Sequence, residues 1–160
     1  MRLVTSILFT ILILAGCHSQ KVTSSNTENH ISSLTDSSII FSFEQTACFG
    51  TCPVHKMVVY HNRFATYQGK RHVAQIGNYF ATLSPAQIAH IYQKAEDLDF
   101  FTLDTNYSAN MTDLPTTIIT VNNGTQNKTV SAYGSYPANL QKFMEFLGIN
   151  LQSIVWTKIK

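Results

Sequence analysis

The stretch IIFSFEQTACFGTCPVHKMVVY, residues 39–60, decides the fold of this chain. Its first seven residues, 39–45, begin with β-branched and aromatic side chains and then alternate apolar with polar, which is typical of a strand. Gly50 and Pro53 indicate a loop after that strand. Val54 to Tyr60 is again β-branched and strand-like, so we expect two strands joined by a cysteine-containing loop.

Antiparallel pairing is expected downstream of this stretch. Phe64 to Gln68 predicts the second arm of a hairpin that turns at His61-Asn62-Arg63. Val73 to Leu83 predicts a further strand, in which Gly77 is a bulge position. A second hairpin is expected between Thr116 and Tyr133, and its arms and turn are Thr116 to Val121, Asn122-Asn123-Gly124 and Lys128 to Tyr133.

Helices are predicted between and after the hairpins. Ser84-Pro85-Ala86-Gln87 combines an N-cap, a proline at the first helical position and a capping-box glutamine. A second helix is expected to open at Pro137 and to stop at Gly148, and Asn150 is expected to cap a last short helix. This order predicts one α+β domain over residues 39–160, an antiparallel sheet of hairpins with two or three helices packed on one face.

The amino terminus has the features of an export signal. A short positive end precedes an apolar core from Leu3 to Leu14, which is shorter than the roughly 20 residues that span a bilayer. Leu14-Ala15-Gly16-Cys17 resembles the lipobox of bacterial lipoproteins. The resemblance implies that residues 1–16 are a signal peptide and that Cys17 carries the lipid anchor. The alternative is an ordinary secretory signal that leaves Cys17 as a free thiol.

A tether is predicted from the lipidated Cys17 to residue 38. Twelve of the 21 residues from His18 to Ser38 are Ser, Thr or Asn, which favours a flexible coil that spans roughly 25 Å. His18 follows the cysteine in place of the Asp associated with inner-membrane retention. We therefore expect a protein of the bacterial cell envelope, held on the outer membrane through the lipid on Cys17.

Composition excludes several classes of function. Among 160 residues, 44% are hydrophobic and 12% are charged. The net charge of +2 is too small to indicate a nucleic-acid partner. The sequence contains no nucleophile elbow, Walker loop, dinucleotide fingerprint or metalloprotease motif. We therefore expect no cofactor, and the sequence favours a protein that is not an enzyme without deciding the question.

Cys48 and Cys52 are the candidate site residues of the domain. Once Cys17 is assigned to lipid, two cysteines remain, and a disulfide is expected in an oxidising compartment. Four extended residues span about 13 Å and a disulfide needs roughly 4.4–6.8 Å between Cα atoms, so the chain must turn, and Gly50 permits this.

Two other hypotheses use the same cysteines. The C-x-x-x-C-P spacing is similar to that of thioredoxin-fold redox and copper-chaperone proteins, although the residues after Pro53 are strand-like and not helical. Alternatively, Cys48, Cys52 and His55 together have the ligand chemistry of a zinc or copper site.

The domain resembles an uncharacterised domain-of-unknown-function family common in small bacterial lipoproteins. The resemblance rests on the C-F-G-T-C-P motif at residues 48–53, on Thr112-Asp113-Leu114-Pro115 and on Tyr136-Pro137 to Leu140, and it covers residues 39–155. Such domains tend to have Tyr where this chain has His55, which implies packing for that side chain. The resemblance implies no activity. We therefore expect a lipid-anchored binding or structural module with an envelope protein as its partner.

Overall fold

A computed structural model describes residues 38–160. The predicted signal peptide, the lipidation site at Cys17 and the tether up to residue 37 lie outside the described residues. Within them, no helix is long and apolar enough to cross a membrane.

The described chain forms eight strands and two α-helices. The strands are Ile39–Gln45 (β1), Val54–Tyr60 (β2), Phe64–Arg71 (β3), Gly77–Thr82 (β4), Asn106–Ser108 (β5), Thr116–Asn122 (β6), Asn127–Tyr133 (β7) and Thr157–Lys158 (β8). The helices are Pro85–Asp97 (α1) and Ala138–Ser153 (α2), and Phe100–Thr102 forms a 3₁₀ turn between α1 and β5.

The sheet corrects the predicted architecture. The class is α+β, but the prediction of an antiparallel sheet of hairpins with two or three helices packed on one face is wrong. All eight strands form one mixed sheet, in the order β5-β7-β6-β1-β2-β3-β4-β8, and only two α-helices accompany it. Pairing between β1 and β6 joins the two hairpins into one sheet, and β5 pairs with β7 in parallel. These pairings are remote in sequence, so local patterns did not indicate them.

Helix α1 begins as predicted. The Ser84 hydroxyl accepts a hydrogen bond from the Gln87 backbone N–H at 3.2 Å, and the Gln87 side chain accepts one from the Ser84 N–H at 2.8 Å. This reciprocal capping box satisfies two backbone donors that the first turn leaves without helical partners.

Helix α2 is longer than predicted. It passes through Gly148, which was the predicted stop, and it absorbs Asn150, so the separate last helix was wrong. The Leu151 side chain packs on the core, and the Trp156 indole donates to the Leu151 carbonyl at 3.1 Å, which stabilises the additional turn. After the helix the chain pairs with β4 as β8.

The core is a single cluster to which the sheet and both helices contribute. The largest fully buried side chains include Phe43 from β1, Phe100 from the 3₁₀ turn and Phe143 from α2. The Phe100 and Phe143 ring centroids lie 5.1 Å apart. Aromatic packing therefore holds α2 in place over the domain core.

The sheet has two distinct ends. At the Ser38 end, the described chain enters β1, and the turns after β2 and β6 lie beside it. At the Cys48 end, β1 finishes at Gln45. The register of the strands places four connections at this end, residues 46–53, 72–76, 109–115 and 134–137.

Candidate binding groove

The buried face of the sheet becomes polar at the Cys48 end. Gln45 of β1 pairs in register with His55 on one side and with Thr117 on the other. Toward the Ser38 end, the same face carries Phe43, Met57 and Ile119 instead. We call Thr117, Gln45 and His55 the polar row.

Three cavities surround the polar row, and Gln45 lines all of them. Cavity A, about 470 Å³, lies between β1, β6 and α2 and is also lined by Met111 and Met144. Cavity B, about 480 Å³, is lined by His55 and by residues of the loop after β1 and the end of β3. Cavity C, about 560 Å³, is lined by His55, Tyr67 and Leu151. Cavities A and C lie on the face that α2 covers and form a groove along the Cys48 end of the sheet, whereas the lining of cavity B includes Glu44 and Lys56, which belong to the opposite face.

Gly148 lines both cavity A and cavity C from helix α2. A Cβ atom placed on this glycine meets no heavy atom within 4 Å. The helix therefore leaves open space between the two cavities at Gly148.

The loop of residues 72–76 forms one wall of cavity C. It approaches β3 so closely that a Cβ atom on Gly69 would overlap the Gln75 carbonyl oxygen. Only glycine permits this approach, so Gly69 fixes the position of the wall.

His55 is buried within the polar row. Its Nε2 donates to the Gln45 Oε1 at 3.0 Å, while its Nδ1 is buried and has no hydrogen-bond partner among the described residues. The ring contacts Phe43 edge-on at a centroid distance of 5.1 Å and lies 5.8 Å from Tyr67. Burial lowers the pKa of His55 to about 4, and the Glu44 carboxylate opposes this only in part, so the imidazole is neutral at pH 7.

The cysteine loop, residues 46–53, is tied to the loop that precedes β6. The Phe49 backbone N–H donates to the Asp113 carbonyl at 3.2 Å. The Thr46 N–H donates to the Thr116 carbonyl and the Thr116 N–H donates to the Thr46 hydroxyl, both at 2.9 Å. These bonds join two connections that are separated by about sixty residues in the sequence, counted from Phe49 to Asp113.

Large apolar side chains are exposed on the four connections of the Cys48 end. Each connection carries one of them. They are Phe49, Ile76, Met111 and Tyr136. Phe49 is 90% exposed at the tip of the cysteine loop. Large apolar side chains clustered at one end of a domain are typical of an interaction site.

Comparison with known families identifies the domain. A family model, the domain of unknown function DUF6438, matches residues 39–149. The chain belongs to the DUF6438 family. The match includes the polar row, both domain cysteines and Gly148, so most of the residues that line the groove belong to the DUF6438 domain. No curated protein matches this chain.

The DUF6438 domain brings Cys48 and Cys52 together. Their Cα atoms lie 5.8 Å apart and their sulfurs lie within bonding distance, so the pair is compatible with the expected disulfide. Strand β2 follows the pair, as predicted, whereas a helix follows the cysteines of thioredoxin-fold proteins. Within residues 38–160, no three His, Cys, Asp or Glu side chains are arranged to hold a metal ion. The structure therefore does not bring Cys48, Cys52 and His55 together as a ligand set.

Opening the Cys48–Cys52 link is expected to lower the free energy of unfolding by about 2 kcal/mol, because the chain-entropy model gives a small value for so short a loop. Urea denaturation with and without reductant measures the change. The Cys48→Ser/Cys52→Ser variant should unfold at the lower midpoint under both conditions. A midpoint of the unsubstituted protein that does not respond to reductant would contradict the expectation.

Gly148→Ala is expected to stabilise the domain by about 0.5–1 kcal/mol, because glycine is unfavourable inside a helix and the added methyl group meets no neighbour. Thermal denaturation checks this. Ala138→Gly in the first turn of the same helix is a control and should have the opposite sign. A destabilised Gly148→Ala variant would show that the space beside the helix is filled.

Sequence reasoning missed Gln45, Thr117 and Gly148 as members of a site. Gln45 is the last residue of one alternating strand and Thr117 is the second residue of another, so neither residue stands out in the sequence unless the pairing of β1 with β6 is known. Gly148 was interpreted as a helix stop. The available signal was the polar residue at the last inward position of β1, where continued apolar alternation would place a hydrophobic side chain.

Proposed function

We propose that this protein is a lipid-anchored, non-catalytic binding module of the bacterial cell envelope. Its lipid would be attached at Cys17, residues 17–38 would act as a tether, and the groove of the DUF6438 domain would bind an envelope partner. In this proposal the Cys48–Cys52 disulfide stiffens a groove loop and has no redox role.

The positions of the two sheet ends carry the proposal. The segment that leads from Cys17 reaches the domain at Ser38, and the groove lies at the opposite end of β1. A seven-residue strand separates these ends by about 20 Å, at about 3.3 Å per residue. A domain held through Ser38 would thus present its groove and the exposed side chains of Phe49, Ile76, Met111 and Tyr136 away from the attachment point.

Site-specific photocrosslinking in intact cells tests the binding role. A photoreactive residue is placed at Phe49 or Tyr136, at the Cys48 end, and at Gln126 as the matched position in an exposed turn at the Ser38 end. Discrete adducts from positions 49 and 136, and none from 126, are expected. Identical adducts from all three positions, or none from any, would contradict a binding site at the Cys48 end.

A further inference from the structure

We infer that the groove formed by cavities A and C binds an extended peptide segment that carries a basic residue and an apolar residue about three positions apart. The basic residue pairs with Glu145 at cavity A, and the apolar residue fills cavity C. This inference rests on the proposed binding function and specifies its ligand. The continuity of the two cavities, their difference in charge and the chemistry of the polar row carry it.

Cavities A and C form one continuous path on the face of the sheet that α2 covers. Gln45 lies on the sheet side of this path and Gly148 on the helix side, and each of the two residues lines both cavities. A Cβ atom on Gly148 meets no heavy atom within 4 Å, so the helix leaves the path open where the cavities join. A slender ligand can therefore occupy both cavities without leaving this face of the sheet.

The polar row sets the length of a ligand that reaches both cavities. Thr117 lines cavity A and His55 lines cavity C, and they lie on the two strands that flank Gln45 of β1. Neighbouring strands lie about 4.8 Å apart, so the row spans roughly 10 Å. An extended peptide advances about 3.4 Å per residue. A side chain in cavity A and one in cavity C are therefore about three positions apart in the ligand.

The two cavities differ in charge. Glu145 is the charged residue that lines cavity A, and no described Lys or Arg forms an ion pair with it. Its carboxylate accepts one hydrogen bond, from the Gln141 side chain at 2.9 Å, which leaves acceptor sites for a cation. The described residues that line cavity C include Val73 and Leu151 but no Lys, Arg, Asp or Glu. A basic group is therefore attracted to cavity A, and an apolar group is accommodated in cavity C.

The polar row between the cavities has unused hydrogen-bonding groups. Neither the amide N–H groups of the Gln45 side chain nor the Thr117 hydroxyl has a partner among the described residues, and His55 Nδ1 also lacks one. A hydrocarbon chain would cover these groups without bonding to them, which is unfavourable. Peptide main chain supplies both donors and acceptors, so it suits this row better than an acyl chain.

Fluorescence polarisation with synthetic peptides tests the inference. The probes are labelled hexapeptides, capped at both ends to remove terminal charges, with Leu three positions before or after a Lys, a Gln or a Glu. The protein is the full mature chain. Peptides with Lys should bind best. A set in which Lys and Leu are adjacent should bind at least about fivefold more weakly, because it cannot reach both cavities.

A charge reversal at Glu145 tests the ion pair. Glu145→Lys should weaken binding of the Lys peptides about fivefold and leave the Gln peptides nearly unchanged. Glu96→Lys is the matched control, because it makes the same change of charge at an exposed position of α1 that lines neither cavity. It should bind like the unsubstituted protein.

Two tryptophan variants test the path of the peptide. Gly148→Trp should weaken binding of all good peptides at least about tenfold, because the indole fills the space between cavities A and C. Ile149→Trp adds the same ring on the neighbouring, 70% exposed position of α2 and should bind like the unsubstituted protein. Circular dichroism confirms that each variant is folded.

Three outcomes would overturn the inference. They are equal binding of Lys and Glu peptides, equal effects of the two tryptophan variants, and binding to phosphatidylglycerol vesicles but to no peptide. Crosslinks at positions 49 and 136 that persist when no peptide binds would leave the binding function standing and refute only the peptide as its ligand. Absence of both would refute the two together.

Discussion

Phe143→Ala is expected to lower the free energy of unfolding by about 3–5 kcal/mol, the largest effect that we predict. Phe143 is fully buried and its ring packs between those of Phe100 and Phe146, at centroid distances of 5.1 and 6.2 Å. Truncation removes buried apolar surface and leaves a cavity that the surrounding rings cannot fill. Because single domains have only about 5–15 kcal/mol of stability, the variant should be close to unfolding at 37 °C.

Phe49→Ala is the matched control for this prediction. It makes the same chemical change at a side chain that is 90% exposed, so stability should change by less than about 0.5 kcal/mol. Urea denaturation of both variants measures the difference. Equal losses would show either that α2 is not anchored through Phe143 or that Phe49 packs on the domain. If Phe49 contributes nothing to stability, its exposed ring is available for binding.

Acidification is expected to destabilise the domain through His55. The pKa of His55 is about 4 in the folded protein and near 6.5 in an unfolded chain, so the unfolded state binds the proton first. The contribution of neutral His55 to the free energy of unfolding should therefore be fully present above pH 6.5. It should decrease as the pH falls from 6.5 to 4, and no further loss should come from this group below pH 4. The total contribution is roughly 3 kcal/mol, because one unit of difference in pKa corresponds to about 1.4 kcal/mol.

His55→Phe separates this effect from the titration of carboxylates. Phenylalanine has a ring of similar size for the space between Phe43 and Tyr67 and cannot take up a proton. Denaturation midpoints are measured for both proteins at pH 7.5, 6, 5 and 4. As the pH falls, the midpoint of the unsubstituted protein should decrease relative to that of His55→Phe, because only the unsubstituted protein has a group at residue 55 whose unfolded state binds a proton first. Parallel curves for the two proteins would mean that His55 titrates normally and is not desolvated.

The local elements of the fold were predictable from the sequence. Alternation in residues 39–45 indicated β1, the capping residues Ser84 and Gln87 indicated the start of α1, and the hairpin of β6 and β7 followed from its pattern and turn residues. Each signal lies within a few residues, because it reflects backbone geometry and hydrogen bonding between neighbours.

The sheet order and the groove were not predictable in the same way. Strand β5 has three residues and β8 has two, so neither is long enough to show alternation, and both form only because a partner strand is already in place. The polar row depends on the register of β1 with β2 and β6. Gln45, His55 and Thr117 come from three separate segments, and no spacing along the chain indicates that they meet.

Intact mass spectrometry of the protein isolated from bacterial membranes tests most directly whether the domain is lipid-anchored. We predict a mature chain that begins at Cys17 and carries the added mass of acyl chains, and we predict that Cys17→Ser abolishes the modification and releases the protein from the membrane fraction. An unmodified Cys17, or a chain that keeps residues 1–16 on its amino terminus, would contradict a lipid-anchored binding module.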